Sequence, residues 1–233
     1  HAQHAEDQPR HLRQPYPFAE PPAGGDDHHH RLHADDECQA AGGHAAVDAA
    51  LDEWGRLDVV VVNAGIGHRG DLVTADWDDL RTLLRTNMDG VLHSIRTGVP
   101  AIRQGGQGGH IMLISSISGM APAPFATLYG ASKSFVNGLA RGLRCELKTD
   151  GIRVTTFLVG QTHSDFAQAR LGRPGRVAGK LPTMQPERVA EAIVNACGTG
   201  RRAVALRWLD RAFIMAAVLA PGLLDRLQYR VYR

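Results

Sequence analysis

Ile111-Met112-Leu113-Ile114-Ser115-Ser116 leads through a loop marked by Pro122 and Pro124 into Leu128-Tyr129-Gly130-Ala131-Ser132-Lys133. The first stretch is apolar up to its two serines, the pattern of a strand buried on both faces. The second opens a helix that the pattern predicts over 128–148. A strand ending in a hydroxyl and followed by a helix suits an open α/β sheet, whose ligands collect at the C-terminal ends of the strands. Tyr129 and Lys133 stand four apart, so a helix projects them from one face. An ammonium beside a phenol favours the phenolate. Tyr129 is therefore expected to titrate below its ordinary value of about 10. It could then exchange a proton with a substrate oxygen near neutral pH. A bare Tyr-x-x-x-Lys pair is more often what an ordinary surface helix carries, so its surroundings decide.

Outward from this pair, helix and strand patterns alternate. A helix over 45–54 stops at Gly55. A strand over 57–62 is apolar almost throughout. A long helix runs from 74 to about 103, with Asn87 near its middle and Thr74 or Asp76 as its cap. Gly105 to Gly109 form a turn. A strand over 152–158 follows, then a helix over 186–197 with Pro186 at its start and Gly198 at its stop. A short strand spans 203–206. This alternation predicts an α/β fold, a doubly wound parallel sheet.

Five pieces in fixed order carry a resemblance: Asn63-Ala64-Gly65 after the valine strand, Asn87, Ser115-Ser116, Tyr129-Gly130-Ala131-Ser132-Lys133, and Gly151-Ile152-Arg153-Val154. Together they resemble the short-chain dehydrogenase/reductase family from about residue 47 to about 206. The resemblance implies a catalytic set of Asn87, Ser116, Tyr129 and Lys133 and a nicotinamide cofactor, NAD or NADP. It implies an alcohol or carbonyl substrate that exchanges hydride with that cofactor. Lys133 would hold the ribose hydroxyls and lower the Tyr129 pKa, Ser116 would hold the substrate oxygen, and Asn87 would anchor a water that relays protons. Cofactor contacts would come from Asn63, Ala64, Gly65, Tyr129, Lys133, Gly160 and Ser164. In Val159-Gly160-Gln161-Thr162-His163-Ser164 the family's Pro-Gly-x-x-x-Thr is altered, with Val159 for the proline and Ser164 for the threonine. Residues 165–180 would be a variable substrate lid. The family pairs subunits through two long helices, so a homodimer or homotetramer is expected.

Residues 1–44 depart from the family's opening strand and Thr-Gly-x-x-x-Gly-x-Gly turn, so the resemblance implies a Rossmann-like sheet with its N-terminal part missing or replaced. Those residues hold eight of the twelve histidines and five of the twelve prolines, with no three consecutive apolar residues. That composition predicts an irregular leader, ahead of a Rossmann-like domain over 45–206 and a helical extension over 207–233. Asp36 falls near the family's adenine-contacting aspartate, in surroundings that match poorly. Without the glycine turn the pyrophosphate lacks a helix N-terminus, so the expectation divides. One reading is an active oxidoreductase. The other is a silent or truncated relative that does not hold its cofactor. Gly65-Ile66-Gly67-His68-Arg69-Gly70 reproduces Gly-x-Gly-x-x-Gly, but Asp71-Leu72-Val73-Thr74 separates it from the next helix, so it reads as a loop rather than a phosphate turn.

Composition supplies the outer limits. The chain has 233 residues, a net charge of +2 and 43% hydrophobic residues. It is long enough for one α/β domain and gives no reason to expect nucleic acid. Cys38, Cys145 and Cys197 form no framework, so the expected compartment is the cytoplasm. His28-His29-His30 has no zinc or iron spacing, and no metal is expected. In 208–232, arginines flank apolar runs. An amphipathic element on a membrane surface and a helix packed on its own domain or on a partner subunit are the two readings.

Overall fold

Four parallel strands form the sheet in the order β1 (Val59–Val62), β2 (Gly109–Ser116), β3 (Ile152–Val159), β4 (Ala203–Ala205). The computed structural model describes residues 42–172 and 183–232. The register pairs Val62 with Leu113, Ser116 with Val159 and Phe157 with Val204. The helices are α1 (42–54), α2 (Trp77–Leu84), α3 (Gly90–Gln104), α4 (Thr127–Glu146), α5 (Pro186–Ala196), α6 (Trp208–Leu219) and α7 (Pro221–Tyr232).

The sheet is covered on both faces, which is why its strands carry no polar alternation. On one face Val62, Ile111, Leu113, Ile152 and Val154 meet Val91, Ile95, Val99 and Ile102 of α3 and Val136, Ala140 and Leu143 of α4. On the other, Met112, Phe157 and Val204 meet Ala196 of α5. Successive residues of β2 thus serve opposite cores, as the two-residue period of a strand requires. Gly98 lets α3 lie close on β1, since a Cβ there would stand 2.8 Å from Val60 Cγ2.

The helix expected over 74–103 begins three residues later and is not continuous. Asp76 caps it, accepting from the Asp78 N–H at 2.8 Å and the Asp79 N–H at 3.4 Å. Residues Arg85–Asp89 form a wide π-type turn between α2 and α3. One extra residue is accommodated there, and such turns recur where a helix must present a functional side chain. Asn87 sits in it. Gly55 and Gly198 stop their helices with φ of 68° and 76°, a region open to glycine at no steric cost.

The leader expected over residues 1–44 lies outside the described residues, except that α1 already includes 42–44. The part of the lid beyond residue 172 also lies outside them. Among the described residues β1 pairs with β2 alone, and its Val61 is 44% exposed.

The C-terminal segment is two helices broken at Pro221. The start of α6 is tied by Arg207 to the buried Asp210 at 2.6 Å. Gly160, just after β3, makes room for that pair: a Cβ there would lie 2.7 Å from Asp210 Oδ1. At the far end of α7, Tyr232 meets Phe125 with ring centroids 6.5 Å apart. The reading in which this segment packs on its own domain therefore accounts for its inner face. Trp208, Met215, Leu219, Leu223 and Leu227 lie exposed on its outer side. No helix among the described residues is long and apolar enough to cross a membrane.

Candidate functional site

Asn87 is fully buried and uses its whole amide. Its Oδ1 accepts from the Ile66 N–H at 2.7 Å. Its Nδ2 donates to Ile66 O at 3.0 Å and to Ser132 Oγ at 2.9 Å. The π-type turn is thereby bonded both to the loop after β1 and to α4. The Ser132 hydroxyl continues the chain, donating to Tyr129 O at 2.7 Å. Lys133 is 4% exposed, and its Nζ donates to Ile114 O on β2 at 3.0 Å. Both side chains converge beneath Gly65. A Cβ on Gly65 would stand 3.0 Å from Lys133 Nζ and 3.5 Å from Asn87 Oδ1.

Ser116 ends β2, and its Oγ accepts from the Ser118 N–H at 3.1 Å in a short turn, Ile117–Gly119. Gly119 brings that turn onto α4, since a Cβ there would be 2.7 Å from the Lys133 carbonyl carbon. Ser115 Oγ donates to Lys133 O at 3.1 Å from the strand side. The strand end and the first turns of α4 are thus locked together. The result is that the Ser116 hydroxyl lies close enough to the phenol of the half-buried Tyr129 to favour its ionised form. The Tyr129 ring leans on Phe166, centroids 5.8 Å apart.

The expected lowering of the Tyr129 pKa is not what the structure yields. Burial is the dominant influence and raises it, while the Ser116 hydroxyl and the positive charge of Arg170 oppose the rise. The phenol is desolvated, and desolvation penalises the phenolate. Burial also pushes the Lys133 amine down from 10.5 to about 8. Its sign has a consequence for stability. In the window from about 8 to 10.5 the unfolded chain binds more protons at this lysine than the folded one, so the folded state gains stability as pH rises. The full gain is on the order of 3 kcal/mol. Denaturant titrations across that window should show wild type gaining on Lys133→Met as pH rises. A stability difference between the two that stays constant would contradict the buried ammonium.

Asn87, Ser116, Tyr129 and Lys133 are therefore brought together at the C-terminal ends of β1 and β2. Gly65 and Ala64 border them, while Asn63 is exposed at the end of β1. Gly160 lies at the same end of β3, facing Arg207 and Asp210, and Ser164 is exposed. A buried ammonium beside a residue with no side chain, with a phenol one helical turn away, fits the ribose and nicotinamide end of a dinucleotide. For the pyrophosphate end, Gly65 to Gly70 do not open a helix: α2 starts at Trp77. Instead this loop pairs with residue 171. The Arg69 N–H donates to Leu171 O at 3.0 Å and the Leu171 N–H to Gly67 O at 2.9 Å. Among the described residues no group of three or more His, Cys, Asp or Glu could hold a metal ion.

Sequence reasoning missed Ser132, Ser115, Arg69 and Arg170. Ser132 lies inside the quoted helix motif, and Ser115 at the strand end, so both were visible as hydroxyls without partners. Nothing in the linear pattern places residue 170 against residue 67.

Residues 26–173 match the family described as short chain dehydrogenase. The match begins within the segment read from sequence as a leader. A short-chain dehydrogenase reductase of Arabidopsis thaliana is 38% identical over 123 residues, covering 52% of this chain and 45% of that protein. Sulfoacetaldehyde reductase 2 of Chromohalobacter salexigens is 32% identical over 160 residues, covering 64% of this chain and 62% of that one. The chain spans about half the length of the curated relatives it matches. Among solved structures, a short chain dehydrogenase from Mycobacterium paratuberculosis bound to NAD superposes with a TM-score of 0.62 at 27% identity, covering 72% of this chain and 69% of that chain. A 3-ketoacyl-(acyl-carrier-protein) reductase from Brucella melitensis complexed with NADH gives 0.61 at 25% identity, covering 71% and 73%.

Proposed function

This chain belongs to the short-chain dehydrogenase/reductase family, and from that membership we propose that it is an oxidoreductase acting on an alcohol or carbonyl compound with Tyr129 as proton donor and acceptor. The observation that carries the reading is the convergence of Ser116, the Tyr129 phenol and Lys133 at the C-terminal end of β2, with Lys133 buried one helical turn from Tyr129 and bonded to Ile114 O at 3.0 Å. A nicotinamide nucleotide, NAD or NADP, supplies or accepts the hydride when bound. Lys133 Nζ and the bare Gly65 backbone would hold its ribose, and the family resemblance adds Asn63, Ala64, Gly160 and Ser164 as further contacts.

The residues act on the substrate oxygen. Ser116 Oγ donates a hydrogen bond to it and stabilises negative charge that develops there. Tyr129 Oη passes its proton to that oxygen in reduction and takes it back in oxidation. Lys133, held by Ile114 O, keeps a positive charge near the phenol. Asn87 positions the assembly, tying the loop at Ile66 to α4 through Ser132. The test is reduction of a panel of aldehydes and ketones at millimolar NADH and NADPH, followed by nucleotide absorbance. Absence of turnover with every pair would overturn the oxidoreductase reading.

The silent alternative sets a prediction of its own. The sequence holds no Thr-Gly-x-x-x-Gly-x-Gly stretch of the kind the family uses for the cofactor pyrophosphate. Fluorescence titration should therefore give affinities for NADH and NADPH weaker than low micromolar. Low-micromolar binding of either would mean that another segment supplies the phosphate contacts.

Assembly follows the same membership. We place the subunit contact on the outer faces of α3 and α4, giving a homodimer or homotetramer. Light scattering at micromolar concentration should return a multiple of the 25.2 kDa chain mass. A monomer at all concentrations would remove this interface.

A further inference from the structure

Beside the Tyr129 phenol the chain gathers positive charge that the reaction itself does not require. The segment after β3 turns through Asp165–Ala167 and returns to the loop after β1, where His68 pairs with Leu171 as a parallel bridge. Three further bonds fasten this return. The Arg69 N–H donates to Leu171 O, the Leu171 N–H to Gly67 O, and the Gly172 N–H to Asp79 Oδ2 at 3.1 Å. The bridge is therefore a built feature anchored to α2, not a trailing loop. It presses Arg170 and Phe166 onto Gly67, where a Cβ would lie 3.1 Å from Phe166 Cε1 and 3.3 Å from Arg170 Nε. Phe166 is the ring that leans on Tyr129.

Arg170 thus stands close enough to the phenol for its charge to act there, and Arg69, whose guanidinium lies over the Tyr232 ring at 5.7 Å, acts on Arg170 in turn. Among the described residues no carboxylate forms an ion pair with Arg170. The charges that act on it are Arg69, which disfavours its protonated form, and Tyr129, which favours it. The Arg69 charge adds to the cost of keeping Arg170 protonated in this half-buried crevice, and an anion seated against Arg170 would relieve that cost. In the same bridge His68 is 3% exposed, and its Nε2 has no hydrogen-bond partner.

We propose that Arg170, with Arg69 behind it, forms an anion subsite beside Tyr129, so that the substrate is a short aldehyde, ketone or alcohol bearing a carboxylate, sulfonate or phosphate. This rests on the reading of Tyr129 as the group that meets the substrate oxygen. A planar fork of donors suits such groups and binds them in two-point fashion. The apolar face of Phe166 would cover the carbon chain between the anion and the reacting carbon. No covalent change occurs at the subsite; it orients the substrate.

The experiment separates this proposal from the oxidoreductase reading by measuring binding without turnover. Hydroxycarboxylates of increasing chain length, beginning with glycolate, are titrated by ligand-observed NMR, each against its uncharged amide. Wild type should bind at least one acid and reject its amide. Arg170→Gln should weaken that acid at least about tenfold, as loss of a charge-assisted hydrogen bond does, and Arg170→Lys should restore part of the affinity. Thermal melts of both variants confirm that they fold. Equal affinity for acid and amide, or no change in Arg170→Gln, would overturn the subsite, as would failure of wild type to bind any acid. Arg170-dependent binding without oxidation of any hydroxy acid would support the subsite and count against the oxidoreductase reading.

Discussion

Tyr129→Phe should lower carbonyl reduction roughly 10²–10⁴-fold, the usual contribution of a positioned general acid, while the protein melts as before. The ring contact with Phe166 at 5.8 Å survives the change, because only the hydroxyl is lost. Ser116 Oγ keeps the Ser118 N–H as a partner, so no buried group is orphaned. Burial holds the phenol protonated to a higher pH than usual. In wild type the reduction rate should therefore persist through neutral pH and fall only on the alkaline side, while alcohol oxidation gains there. Steady-state rates across that range, for both directions, are the check. Unaltered turnover in the Tyr129→Phe enzyme would transfer the proton-donor role elsewhere in the site.

Asn87→Ala should be the most damaging single change to the scaffold of the site. It removes the partner of the Ile66 N–H, of Ile66 O and of Ser132 Oγ at once, at a fully buried position. Leaving buried polar groups unsatisfied costs about 1–3 kcal/mol each, so a loss of at least about 3 kcal/mol is expected. For a chain of this size each kcal/mol lowers the melting temperature by roughly 2–4 °C. Calorimetry of the variant, with Ser132→Ala as the milder companion, measures it. Ser132→Ala leaves Asn87 bonded to Ile66 and should cost less. An unshifted Asn87→Ala melt would mean that the network contributes nothing.

Much of the fold was legible in the chain because burial on both faces leaves a signature. Val59 to Val62 and Ile111 to Ile114 are apolar without alternation, the pattern that strands of a covered parallel sheet produce. Gly55, Gly198, Asp76 and Pro186 mark helix ends for local reasons that need no neighbour. Of the site, the four-residue spacing of Tyr129 and Lys133 placed them on one face, and the strand-end position of Ser116 placed it near the crevice. The strand and helix boundaries differed by a few residues, as they must where pairing partners rather than propensity set the last residue.

What could not be read is what depends on contacts distant in sequence. The π-type turn at Arg85–Asp89 exists because Asn87 bonds both Ile66 and Ser132, and no local pattern announces it. The direction of the Tyr129 pKa was misjudged because the spacing to Lys133 is local, whereas the desolvation that outweighs it comes from the whole crevice. Sequence alone determined the α/β alternation and the shared face of Tyr129 and Lys133, since these rest on periodicity and short spacing, while the family was carried by the resemblance of five ordered pieces. Tertiary structure alone decided their electrostatics and the delivery of Arg170 to Gly67, since charge and proximity depend on everything packed around a group rather than on its neighbours along the chain.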